Sequence, residues 1–404
     1  MRIVVNDYSG HPFQVQLSRE LARHGHHVLH LHFADFQTPK GHLHRSESDP
    51  ADFRVEGVSL GKAFAKYDLL QRRSQEIQYG RLAIRKIREF APDVVIGCNN
   101  PLDAQRIIQG WCIRNDVKFV FWLQDIYSIA INEVLSRKFG FAGSLVGTWY
   151  NRLERRLLRR SHAIVAISDD FVPQLRSWAV PDDRVKVIPN WAPLDEITVR
   201  PKLNAWSERQ KLAESKVILL TGTLGFKHNP GLFLDLAEHL KPRADVKVAV
   251  VSEGPSADHL KTESQRRGLT NLVVFPFQPM SEYSDVLGAG DVLVSIIEDG
   301  AARYSVPSKV LSYLCSGRPL VLSVPQNNLA ARTVQDCGAG LVVPPNNAAA
   351  FCAAVDHLLD NPREASRMGS AARCYAEKNF RIEDIAVKFM ALFQSVGAAA
   401  RAGT

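Results

Sequence analysis

The chain has 404 residues, 46% of them hydrophobic and 23% charged, which is enough to fill more than one core of the usual size, so two domains are the default expectation. No stretch approaches the roughly 20 apolar residues of a membrane-spanning helix, and the composition is that of a folded chain, so a helix-spanned membrane protein and a disordered one are both excluded. The formal charge is +8; residues 1–190 hold 27 basic and 20 acidic side chains, a surplus of +7, whereas residues 191–404 hold 23 and 22.

The N-terminal segment MRIVVNDYSG enters an apolar run at once and has no basic segment followed by a long apolar one, so no secretory signal is expected and a cytoplasmic location is. Strands are predicted at Arg2 to Val5, Val28 to Phe33, Asp93 to Gly97, Lys118 to Trp122, Ala163 to Ile167 and Val185 to Ile188. Between them, helical spacing covers Phe13 to Arg23, Gln71 to Phe90, Asp103 to Ile113, Thr148 to Arg160 and a short helix from Asp169. Pro189, Pro193 and Pro201 then punctuate a segment without a period, which marks a boundary.

The same alternation restarts beyond it. Strands are predicted at Val217 to Thr221, Lys247 to Ser252, Leu272 to Phe275, Val292 to Ile297 and Pro319 to Ser323. Helices are predicted at Gly231 to Leu240, Asp258 to Arg267, Lys309 to Cys315 and Ala348 to Leu359. Two doubly wound α/β domains in tandem follow, with ligands expected beyond the carboxyl ends of the strands and a cleft between facing domains. The domains are taken as 1–192 and 193–381.

Six cysteines lie far apart with no C-x-x-C pair, so small buried thiols are expected rather than a zinc site or a disulfide framework. His30 and His32 share a strand face, but no carboxylate or cysteine accompanies them at ligand spacing, and no metal site is assigned. The charge surplus of the first half points it at something anionic: a membrane surface, a phosphorylated substrate or a nucleic acid. Its most basic run is Trp149 to Arg160. There Trp149, Leu153 and Leu157 share one helix face, while Arg152, Arg155, Arg156 and Arg159 cover much of the rest. That run is either a dock for an anionic membrane surface or a solvated helix with its leucines on the sheet. Nucleic acid is set aside, since no recognition helix, zinc finger or aromatic stacking motif is present.

Four places could carry chemistry. Val217 to Thr221 runs into Gly222-Thr223-Leu224-Gly225-Phe226-Lys227, where two glycines let backbone N–H groups approach a phosphate and Lys227 adds a charge; a plain tight turn is the alternative. Pro307-Ser308-Lys309 opens a helix, giving either an anion site or an ordinary N-cap. In the first half, Ser9-Gly10-His11-Pro12 follows the first strand, and Asp125 follows the strand ending near Leu123. Gly10 allows close backbone approach, His11 offers a hydrogen bond, and Asp125 is the candidate for positioning an acceptor hydroxyl or assisting its deprotonation; a turn and a capping carboxylate are the bland readings.

Together these stretches carry a resemblance. GTLGFKHNPG from Gly222, VAVVSEGP from Val248, LVVFPFQPMSEY from Leu272, DVLVSIIE from Asp291, PSKVLSYLCSGRPLVLSV from Pro307 and GAGLVVPPNN from Gly338 resemble, in order and spacing, the C-terminal domain of retaining glycosyltransferases of family 4, which have the GT-B fold. Leu21 to Val28 resembles that family's L-x-x-x-G-H-x-V turn, and Val187 to Trp191 its V-I-P-N ending. Gln124-Asp125-Ile126-Tyr127, Asn190-Trp191 and Pro307-Ser308-Lys309 resemble a branch that builds bacterial surface polysaccharides, including colanic-acid and N-acetylfucosamine transferases.

The resemblance implies transfer of a sugar from a nucleotide diphosphate donor, UDP-linked, to a lipid-linked or saccharide acceptor. It implies no metal, with Lys227, Ser308, Lys309 and backbone donors neutralising the departing diphosphate. Gly10, Thr223, Gly225, Glu253 and Phe277 complete the expected donor site, and the stretch 382–398 is expected to return to the N-terminal domain. Two departures stand out. Tyr304 and Ser312 occupy the places of the family's paired glutamates, and Thr223 stands near the place of its usual arginine. A nucleotide-sugar epimerase or hydrolase on the same scaffold, or a donor-binding subunit without catalysis, therefore stands as an alternative.

Overall fold

The computed structural model describes residues 1–36, 40–65, 68–225, 228–298 and 308–401. It divides the chain into two compact units, residues 1–190 with 382–404, and residues 191–381.

The first unit is built from β1 (Arg2–Asp7), α1 (Pro12–Arg23), β2 (His27–Phe33), β3 (Phe53–Val58), α2 (Leu69–Phe90), β4 (Val94–Cys98), α3 (Leu102–Arg114), β5 (Lys118–Leu123), α4 (Tyr127–Arg160), β6 (Ala163–Ala166), α5 (Val172–Ser177) and β7 (Val185–Val187). Its sheet is parallel throughout, in the order β3-β2-β1-β4-β5-β6-β7. Helices cover both faces of such a sheet, so its central strands read as unbroken apolar runs: Ile3, Val4 and Val5 are fully buried, as are Val95, Ile96, Phe119 and Val120. β3 escaped the sequence reading because it is an edge strand, with Arg54 exposed and Val55 and Glu56 half-buried between Phe53 and Val58.

The predicted helix over Thr148 to Arg160 is the end of a longer element. α4 runs from Tyr127 and breaks at Gly140, whose φ of 55° and ψ of −130° leave the helical region. The two arms pack back on each other. A Cβ on Gly143 would lie 2.0 Å from the Leu135 carbonyl oxygen, and one on Gly147 would lie 2.7 Å from Asn132 Cα. Asn151 Nδ2 lies 3.5 Å from Ser128 Oγ, and Glu154 accepts from the backbone N–H groups of Tyr127 and Ser128 at 3.1 and 2.9 Å. The partners run in reverse order along the two arms, so α4 is an antiparallel helical hairpin.

The second unit comprises α6 (Ala205–Arg209), β8 (Lys216–Thr221), α7 (Gly231–His239), β9 (Val246–Val251), α8 (Pro255–Arg267), β10 (Leu272–Phe275), α9 (Tyr283–Gly288), β11 (Val292–Ile296), α10 (Lys309–Cys315), β12 (Leu320–Ser323), α11 (Leu329–Asp336), β13 (Gly340–Val343), α12 (Ala348–Asp360) and α13 (Pro362–Asn379). Its parallel sheet has the order β10-β9-β8-β11-β12-β13, the doubly wound order with its switch point between β8 and β11. Ile218, Leu220, Val248, Val250, Phe233 and Phe351 belong to one buried cluster.

No helix was predicted over α13. Its buried stripe is Met368, Gly369, Ala372 and Ala376, mostly small residues that leave no large apolar period to read. The final helix α14 (Ile382–Arg401) belongs to the first unit. There Ile385, Phe389, Leu392 and Phe393 are buried, and the Phe389 ring lies 4.8 Å from that of Trp122.

Candidate active site

In the second unit the chain leaves β8 at Thr221 and turns at Gly222, whose φ of +98° suits glycine alone. The Gly222 N–H donates to the Val251 carbonyl at 2.9 Å. The phenol of Tyr313, fully buried on α10, accepts from the Thr221 N–H at 2.8 Å and lies 3.3 Å from the Thr221 carbonyl. Burial and the nearby Tyr283 push its pKa upward, so it serves as a neutral clamp. The Tyr283 phenol lies 3.1 Å from Thr221 Oγ1 and hydrogen-bonds Ser312.

These contacts fix α10 against the end of β8, and Lys309 stands one turn before Tyr313. Its Nζ accordingly reaches the β8 loop and donates to the Thr223 carbonyl at 3.3 Å. The two stretches that the sequence separates by more than eighty residues thus meet in one unit. Gly225, in the same loop, donates its N–H to His228 Nδ1 at 2.9 Å. Ser308 precedes the first turn of α10 with no side-chain capping bond.

Glu253 follows β9 and accepts from the Phe277 N–H at 3.0 Å. The carboxyl ends of the neighbouring strands β8, β9 and β10 therefore carry, in turn, Thr223 with Gly225, Glu253, and Phe277. Lys227, Tyr304 and Pro307 lie outside the described residues. An ammonium held beside the turn at the switch point of a doubly wound sheet can attract a phosphate anion.

In the first unit the corresponding edge carries Gly10, His11 and Asp125. Gly10 has φ +74°, and a Cβ there would meet Leu43 Cδ1 at 2.6 Å. His11 precedes α1 in extended conformation, and its side chain stays half-buried. Asp125 sits two residues beyond β5, half-buried, and adds its negative potential to Tyr127 and Glu154.

What the sequence reading missed is the residue that shapes this edge. Asp7, fully buried at the end of β1, accepts from the Ser9 N–H at 3.1 Å, the His11 N–H at 2.6 Å and Asn99 Nδ2 at 3.3 Å. Gln14, its amide turned to suit both neighbours, donates to Asp7 Oδ2 at 2.8 Å and accepts from Asn99 at 2.9 Å. Burial raises the Asp7 pKa, opposed by the charge of His11 and by these donors. The signal available was a carboxylate two residues after the apolar run Ile3 to Val5 and two before Ser9-Gly10.

Among the described residues no three His, Cys, Asp or Glu side chains are grouped to hold a metal ion. His30 is fully buried, with Nδ1 2.9 Å from Ser18 Oγ, and burial lowers its pKa to about 3. It is a neutral packing group.

Residues 13–196 match the family described as Glycosyltransferase Family 4, and residues 204–374 match Glycosyl transferases group 1. Among curated relatives, O-antigen chain mannosyltransferase C of Escherichia coli is 25% identical over 61% of this chain and 64% of its own length. The probable glycosyltransferase WbjE of Pseudomonas aeruginosa is 24% identical over 56% and 58%. The chain thus spans about three-fifths of the length of these relatives. Among solved structures, Anabaena HepE in complex with UDP-glucose has a TM-score of 0.71 at 15% identity, covering 98% of this chain and 100% of that one. Sucrose-phosphate synthase from Thermosynechococcus elongatus has 0.71 at 15%, covering 99% and 100%. At such identity the likeness is one of fold, and that fold is GT-B. Residues 13–196 and 204–374 thus carry, in this order, a family 4 and a group 1 glycosyltransferase domain on that fold.

Proposed function

We propose that the protein transfers a sugar from a nucleotide diphosphate donor, UDP-linked, to a lipid-linked or saccharide acceptor in bacterial glycan synthesis, with retention at the anomeric carbon and without a metal ion. The observation that carries the reading is the meeting of Lys309 with the Gly222 turn at the switch point of the group 1 domain. The UDP-glucose held by the HepE neighbour and the O-antigen role in a relative's name support the choice of donor and pathway class.

In the reaction the bond between the anomeric carbon and the diphosphate oxygen breaks, and one to the acceptor oxygen forms on the same face. Lys309, Ser308, Lys227 and the loop N–H groups stabilise the charge that develops on the diphosphate. The departing phosphate takes the acceptor proton, so the protein needs no strong base. Glu253 and Phe277 bind the nucleoside end of the donor, Gly10 and His11 contribute backbone and imidazole donors, and Asp125 orients the acceptor hydroxyl. Arg152, Arg155, Arg156 and Arg159 bring the enzyme to the anionic inner face of the plasma membrane. Of these, Arg159 also has a structural duty, since its Nε donates to the Trp178 carbonyl at 2.6 Å.

Saturation-transfer NMR against UDP, GDP and ADP sugars tests the donor reading. At least one UDP sugar is expected to bind, and Lys309→Met is expected to weaken it roughly tenfold or more, the usual cost of a lost charged hydrogen bond. Failure of every donor to bind would overturn the reading. Release of free sugar or an epimer without acceptor would move the protein to the hydrolase or epimerase alternative.

A further inference from the structure

The α4 hairpin ends in an apolar tip that the other described residues leave exposed. Phe139 and Phe141 flank the Gly140 break, 49% and 80% exposed, and Val134, Leu145, Val146 and Trp149 are also exposed, Leu145 at 58%. Aromatic and branched side chains normally avoid such exposure as a group, and a contiguous apolar patch marks an interaction surface. The arms themselves are closed by Gly143 and Gly147, so these side chains are not a core left open between them.

The charge around the tip identifies the partner. Residues 134–153 contain Arg137, Lys138 and Arg152 and no carboxylate at all. The order along the second arm is as telling. Phe141, Leu145, Trp149, Arg152 and Arg156 recur at spacings of four, four, three and four, which places them on one helix face. At 1.5 Å per residue, Trp149 stands ~12 Å and Arg156 ~22 Å behind Phe141. The face therefore runs from phenylalanine through tryptophan to arginine as it leaves the tip.

A bilayer presents the same order, acyl chains first, then the interface where tryptophan is favoured, then anionic headgroups. A second copy of the chain would fit poorly, because a two-fold contact through identical tips sets the same cations against each other.

We infer that the α4 hairpin is a membrane anchor that inserts Phe139 and Phe141 into the acyl boundary of an anionic bilayer while Arg152 and Arg156 hold the headgroups. The inference rests on the membrane part of the proposed function, to which it adds apolar insertion, and is independent of the donor chemistry.

Flotation with phosphatidylcholine vesicles, with and without phosphatidylglycerol, tests it. The wild-type chain is expected to float with the anionic vesicles only, and its tryptophan emission to shift to shorter wavelength, a shift that Trp149→Phe removes. The Phe139→Ser/Phe141→Ser double variant is expected to lose at least about tenfold in partitioning, while its thermal melt followed by circular dichroism, which reports that the chain is folded, stays at the wild-type level. Equal flotation of wild type and double variant would overturn insertion and leave electrostatic docking in place. Absence of wild-type flotation would overturn both, as would a tip-dependent dimer in sedimentation that does not float.

Discussion

Four donors converge on the two carboxylate oxygens of Asp7: the N–H groups of Ser9 and His11 and the side-chain amides of Asn99 and Gln14. Each oxygen must accept, so the ionised form fits the site even though burial opposes it. The carboxylate thereby sets where Gly10 and His11 stand, and acts on the strand-end loop without needing to touch a substrate. Asp7→Asn turns one acceptor into a donor facing other donors. It is expected to cost about 1–3 kcal/mol of stability, the desolvation penalty of an unmatched buried group, and to lower transfer. If His11 and Gly10 are the groups displaced, the loss falls on kcat and on the donor KM together; thermal melts and steady-state kinetics of the variant check both. A variant with wild-type melting and kinetics would remove Asp7 from this role. Such a residue is hard to see in one sequence, because a carboxylate ending a strand looks like any cap and its donors come from positions 9, 11, 14 and 99. The Glu253 to Phe277 bond was easier, since both lie in motifs that repeat the family pattern, although their contact is legible only in space.

At the scale of elements, the central strands and most helices were legible because parallel sheets write long apolar runs and helices a period near four. The first arm of α4 was not, since YSIAINEVLSRKF packs Asn132 and Leu135 against glycines and Ser128 against Asn151 instead of burying a wide apolar face. What joins its arms at the base is Glu154, fully buried, capping the first turn of the helix at Tyr127 and Ser128. Burial, reinforced by the nearby Asp125 and opposed by those hydrogen bonds, raises its pKa to about 7. The folded state then binds this proton more tightly than the unfolded chain. Stability from this group is greatest below the unfolded value and is lost as pH rises from about 4.5 to about 7, after which it levels off. A shift of this size corresponds to about 3 kcal/mol. Glu154→Gln keeps an acceptor for one N–H and a donor for Ser128 Oγ while removing the titration. Denaturant unfolding at pH 5 and pH 8 is therefore expected to show the wild type losing about 2.5 kcal/mol more than the variant over that range. Parallel pH profiles would mean that Glu154 does not titrate there.

For the whole molecule, the chain passes between units at Asn190 and again at Arg381, so residues far apart in sequence complete one core. The closing helix α14 contributes Ile385, Phe389, Leu392 and Phe393 to the first unit, with Phe389 packed on Trp122 of β5. Trp122 lies just before Gln124 and Asp125, so this packing also backs the strand end that carries Asp125. Its apolar period at positions 385, 389, 392 and 393 was readable, whereas its destination depended on resemblance, because periodicity states that a face is buried and not what buries it. Phe389→Ala leaves a cavity against Trp122 and is expected to cost about 3–5 kcal/mol, as other buried aromatic truncations do. Each unit has its own parallel sheet and its own buried cluster, so the loss should appear in the melting of the first unit only. On the proposed function, UDP provides the marker: a nucleotide bound to the second unit would raise that unit's transition by mass action. In scanning calorimetry, Phe389→Ala is expected to lower the UDP-insensitive transition and leave the UDP-shifted one in place. If both transitions fell together, the units would be unfolding as one cooperative body, and the closing helix would be stabilising the molecule as a whole instead of the half it packs in.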